Sequence, residues 1–79
     1  MTKKNYKGYI CEVCEVIKER ALQAKEEEKS DKNLFNSGRL MAFNEVVSIL
    51  QQDALGMGID LNELKLDDIK PDTDLVENV

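Results

Sequence analysis

The sequence predicts an all-α fold: an antiparallel two-helix hairpin with a short third helical turn, pairing with a second copy into a dimeric four-helix bundle. Three observations predict it. Apolar residues recur at spacings of three and four through two long stretches. Between those stretches lies AKEEEKSDKN, with no apolar residue between Ala24 and Leu34. The one proline, Pro71, stands almost at the end, and the helix formers Glu, Lys, Leu, Ala and Gln dominate the middle.

The first helix is expected over residues 5–28. Tyr6, Tyr9, Ile10, Val13, Val16, Ile17, Ala21 and Ala24 follow the period of one helix face. On a wheel of about 100° per residue that face centres near Tyr6, Val13 and Ala24. Glu12, Glu15, Glu19, Gln23 and Glu26 fall opposite and read as a solvated side.

A turn is expected next, because Ser30, Asp31 and Asn33 are capping residues and either Asp31 or Asn33 can open a second helix. A single rod from residue 6 to residue 56 would expose two apolar stripes with no partner in its own chain.

The second helix is expected over residues 33–57, with Leu40, Phe43, Val46, Val47, Leu50, Ala54 and Met57 along one stripe. Phe35, Ala42 and Ile49 widen it to about half the circumference, more than the ~100° arc of a helix buried on one side. The hairpin partner covers only one side of so wide a stripe, so a second copy is expected on the other.

Gly56 and Gly58 should stop the helix, since glycine accepts the left-handed conformation at a C-terminal cap. Asp60 with Glu63 has capping-box spacing and predicts a short turn near 61–65. Leu61, Leu64, Leu66 and Ile69 are apolar enough to lie back along the bundle, and the chain after Pro71 should be extended. Residues 1–59 then form the hairpin, and residues 60–79 an acidic segment of the same single domain. The expected core is Ile10, Val13, Ile17, Ala24, Phe43, Val46, Val47 and Leu50.

Charge narrows the partners. The net charge is −5, and residues 60–79, with seven acidic and two basic side chains, carry all of that excess. Nucleic acid is not expected as a partner, because it needs a basic face to displace counterions. No stretch approaches the roughly 20 apolar residues of a membrane span, and no apolar run of signal length precedes Glu12. Two cysteines in 79 residues are too few for a secreted disulfide scaffold, so the expected location is cytoplasmic with both thiols reduced.

Three places carry possible chemistry. Cys11 and Cys14 form a Cys-x-x-Cys inside YICEVCEVIKER. Tetrahedral zinc needs two further nitrogen or sulfur ligands, and the chain has no histidine and no third cysteine. Redox pairs of this spacing sit at a helix N-terminus after a strand, whereas these lie inside a helix. They read as small packing residues, with intersubunit metal or thiol sensing as the sharper alternative. The second place is FNSGRLMAFNEV. Phe35, Gly38, Arg39, Ala42 and Ile49, with Asn44 on the far rim, are the candidate partner-binding residues. Gly38 early in a helix costs about 1 kcal/mol relative to alanine, a cost that close approach of another helix would offset. Arg20 and Arg39 fall within the apolar arcs and are expected to lay their stems over the core, with Glu12, Glu45 and Asp53 as available carboxylates.

The third is the acidic end. Asp72-Thr73-Asp74 starts like a calcium loop, but Val76 stands at the next ligand position and no glycine follows.

No cofactor and no enzymatic activity are expected. The only plausible nucleophiles are the thiols, with no base placed to activate them. The reading is a small helical interaction or regulatory module acting through self-association and protein binding. The alternative is an inhibitor-like or adaptor protein that meets a basic partner through residues 60–79.

Overall fold

Asn5 opens the first helix. Its Oδ1 accepts from the Gly8 N–H at 2.8 Å, and α1 runs over Tyr6–Ser30 in the computed structural model, which describes residues 5–71. A Cβ on Gly8 would lie 2.7 Å from Asn5 Nδ2, so the glycine keeps room for the cap. Asp31 takes an extended conformation and donates its N–H to the Glu27 carbonyl, closing the last turn. Asn33 caps α2 (Leu34–Gly56) by accepting from the Asn36 N–H at 2.7 Å. Asn36 Nδ2 in turn donates to the Asp31 carbonyl at 2.8 Å, which fastens the connection. Of the two expected caps, Asn33 is therefore the one used.

Gly58 ends α2 with φ 76°, a left-handed conformation natural to glycine. Ile59 N–H reaches the Ala54 carbonyl at 2.8 Å and Gly58 N–H the Leu55 carbonyl at 3.1 Å, the paired bonds of a Schellman motif. A 3-10 turn follows over Leu61–Leu64. The Asp60 side chain makes no cap bond there, contrary to the capping-box expectation. Instead the Glu63 N–H donates to the Asp60 backbone carbonyl at 3.0 Å. Lys65 then turns the chain in the left-handed region at φ 59°, and residues 66–71 run back over the hairpin.

All three segments meet in one core. Cys14, Ala21 and Ala24 from α1 face Leu40, Val47 and Ala54 from α2, and Leu64, Leu66 and Ile69 from the returning strap, residues 60–71, close it. Cys11, Ile17, Phe43, Leu50, Ile59 and Leu61 pack around them, partly buried. Among the described residues the fold is all-helical with no strand, and no helix is long and apolar enough to cross a membrane.

The expected core is right at Ala24 and Val47, half right at Val13, Ile17, Phe43 and Leu50, and wrong at two positions. Ile10 and Val46 are 36% and 39% exposed. The physical reason is a rotation: the buried face of α1 centres near Cys14 and Ala21, about 75° round the wheel from the expected centre. Small side chains there let α2 approach closely, and the larger branched residues are left beside the seam. The expected extended stretch after Pro71 lies outside the described residues, as does the calcium-like Asp72-Thr73-Asp74.

Candidate interaction face

The strap sits on one side of the hairpin. Cys11 Sγ donates to the Glu63 carbonyl at 3.1 Å, and Lys18 Nζ donates to the Lys65 carbonyl at 2.8 Å and to Asp68 Oδ1 at 2.9 Å. Lys65 reaches Glu15 at 3.6 Å. From α2, Gln51 Nε2 donates to the carbonyls of both Leu66 and Ile69, at 2.9 and 2.7 Å. Every one of these anchors lies on the same flank of its helix.

Among the described residues the opposite flank is bare. It carries Ile10, Val13 and Ile17 from α1 beside Phe43, Val46 and Leu50 from α2, half-buried to exposed. Phe35, Ala42 and Ile49 extend it outward along α2, and Phe35 is 76% exposed. On the wheel these three stand about 160–180° from Gln51, so the strap cannot reach them. Met57, 79% exposed, marks its C-terminal end. Leu50, Asp53 and Met57 line a pocket of about 180 Å3 at the C-terminal end of α2, together with Ile10, Cys14, Ala54, Ile59 and Leu64.

Arg39 lies at the other end of this flank. Its guanidinium is 5.7 Å from the Phe43 ring centroid and pairs with Glu27 across the hairpin. Glu27, not the expected Glu12, Glu45 or Asp53, is its partner, because the antiparallel packing brings the last turn of α1 level with the first turns of α2. Arg20 is exposed and makes no ion pair among the described residues, so it does not snorkel over a core as expected. An added Cβ at Gly38 would meet nothing within 4 Å, so no other helix backbone approaches it among the described residues. Asn44 falls on the strap side of α2, away from the other candidates, with a buried Oδ1 that has no hydrogen-bond partner among the described residues. Glu28 is similar: 8% exposed, with Oε2 accepting from Ser37 Oγ at 3.3 Å and Oε1 unpartnered. No sequence signal marked Glu28, which lies on the polar run between the helices.

The cysteines divide. Cys14 is fully buried, and burial, with Cys11 beside it, pushes its thiol pKa up. Cys11 is half-buried and anchors the strap. Among the described residues no group of three or more His, Cys, Asp or Glu stands together to hold a metal. In the strap, the Lys18 hydrogen bond holds the Asp68 carboxyl below the usual carboxylate range. Asp60, Glu63 and Asp67 are exposed. No family model, curated protein or solved structure matches this chain.

Proposed function

We propose that the chain is a small non-enzymatic interaction module that works by self-association, with the bare flank as the surface that joins two copies. One observation carries the reading. Ile10, Val13, Ile17, Phe43, Val46 and Leu50 have the periodicity of core residues, yet they lie on the flank that the strap leaves open. A second hairpin laid on this flank completes a four-helix bundle, the closed arrangement such residues require. Size favours the same answer, since a chain of 79 residues buries only about 60–65% of its unfolded surface alone.

Light scattering at micromolar concentration tests the reading. A particle of twice the 9.0 kDa chain mass is expected, and Val46→Glu should return it to one chain mass with its helix content intact. A wild-type particle of 9.0 kDa that stays helical overturns it.

The exposed Asp60, Glu63 and Asp67 support a second reading, in which a basic partner docks on the strap. Residues 61–71 are also part of the fold through Leu64, Leu66, Ile69 and Pro71, so charge reversal rather than truncation tests it. Capture of a basic partner that survives Asp60→Lys, Glu63→Lys and Asp67→Lys together ends it.

A further inference from the structure

Resting on the self-association just proposed, we infer that the two copies pack α2 against α2 antiparallel about a two-fold axis level with residue 44, each burying its Phe35 in the other's end pocket.

Phe35 and the pocket fit as plug and socket. A cavity of about 150 Å3 holds one benzene ring, and this pocket measures about 180 Å3 and is lined mainly by Ile10, Leu50, Ala54, Met57, Ile59 and Leu64. Phe35 is an exposed aromatic side chain on the same flank. It cannot reach the pocket of its own chain, because residue 35 and residue 53 are separated by about 27 Å of helix at 1.5 Å per residue. A second copy laid antiparallel brings them together. Two contacts result, one at each end, as an isologous interface requires. Residues 35 and 53 then meet, and the axis falls midway between them at residue 44.

The charges on α1 select the same axis from independent residues. Arg20 and Glu27 stand about 20° apart on the α1 wheel, both toward the bare flank. In an antiparallel pair centred between residues 23 and 24, Arg20 of each copy faces Glu27 of the other. The Glu27–Arg39 ion pair, and the placement of Cys14 and Ala54 on one pocket, put that point of α1 level with residues 42–44 of α2. The aromatic plug and the ion pair therefore agree on the centre to within about two residues, or ~3 Å. A parallel pair would instead set Arg20 against Arg20, Glu27 against Glu27, and leave both pockets unfilled.

Spin labels at Leu34, Glu45 and Gln52, three exposed positions of α2, test the register when placed singly in a Cys11→Ser background in which Cys14 stays buried. The axial separation between copies should be about 30 Å at Leu34, ~3 Å at Glu45 and ~24 Å at Gln52. The label-to-label distance is thus shortest at Glu45 and longer on both sides. Phe35→Ala should weaken dimerisation at least tenfold without changing helix content, because the side chain is exposed in the single chain. Equal distances at the three positions overturn the antiparallel register while leaving self-association standing. The expected distances with an unweakened Phe35→Ala dimer overturn the pocket assignment. An unlabelled wild-type monomer overturns both this inference and the reading beneath it.

Discussion

The side-chain nitrogen of Gln51 donates to the backbone carbonyl of Leu66 at 2.9 Å, and the same nitrogen reaches the Ile69 carbonyl at 2.7 Å. One amide thereby satisfies two carbonyls of a segment with no regular ladder of its own. A buried carbonyl without a donor costs about 1–3 kcal/mol. Gln51→Ala should therefore destabilise the fold by about that much, measured by urea denaturation. The loss should be accompanied by faster amide exchange in residues 61–69, and unchanged exchange there would show that the strap is held without Gln51.

The strap is core, not appendage. Leu66 is fully buried, as is Val47 on α2. Truncating a buried leucine to alanine costs about 2–5 kcal/mol, a large part of the roughly 5–15 kcal/mol that stabilises an ordinary domain. Leu66→Ala should lower the denaturation midpoint as much as Val47→Ala does. A midpoint within error of wild type would mean that residues 60–71 dock only loosely.

Cys14 makes stability depend on alkali. Its folded-state pKa is raised, chiefly by burial, so the fold favours the neutral thiol. The resulting stability is fully present below the unfolded thiol's pKa of about 8.5 and is lost as pH rises through the folded value. Denaturation midpoints should fall above about pH 9, and Cys14→Ala should flatten that fall. In the native protein, iodoacetamide should modify Cys11 and spare Cys14; equal labelling of both would contradict the burial.

Acid acts on the other side of the strap. The folded pKa of Asp68 is lowered, first by its hydrogen bond from Lys18. Its contribution is present above the unfolded carboxylate value of about 3.9 and disappears as pH falls through the folded value. Amide exchange at residues 65–69 should accelerate there, and Asp68→Asn should abolish that pH dependence. An identical acid profile in the variant would assign the effect to another group.

The glycines of the two helices should respond in opposite directions. Gly38 has open space where a Cβ would go, so Gly38→Ala should stabilise the fold by about 0.5–1 kcal/mol through helix propensity alone. Gly8→Ala would drive a methyl against the Asn5 cap, 2.7 Å away. Loss of such a cap costs about 1 kcal/mol, which should cancel or outweigh the propensity gain. Thermal melts of the two variants check both signs.

The sequence by itself determined what depends on near neighbours. The three-and-four spacing called for two helices, Asp31 or Asn33 and the glycines at 56 and 58 called for the boundaries, and the leucines after Asp60 called for a segment returning to the hairpin. The ends agree within two residues: 5–28 and 33–57 expected, Tyr6–Ser30 and Leu34–Gly56 found. These features rest on hydrogen bonds and side-chain contacts between residues a few positions apart, which the order of residues encodes directly. The wide apolar stripe on α2 was legible for the same reason.

Only the tertiary structure decided how the helices are rotated and which flank the strap covers. A wheel ranks positions by hydrophobicity and points to Ile10, Val13 and Val46, but packing ranks them by fit. Cys14, Ala21 and Ala24 are small enough to bring the backbones close, so the seam forms on them. Arg39 found Glu27 rather than Glu12, Glu45 or Asp53 because antiparallel packing sets the last turn of α1 level with the first turns of α2. Once Lys18 and Gln51 had taken the strap's carbonyls, the strap was committed to their flank. Among the described residues the larger apolar side chains opposite were left uncovered, since residues 60–71 lie along one side of the hairpin.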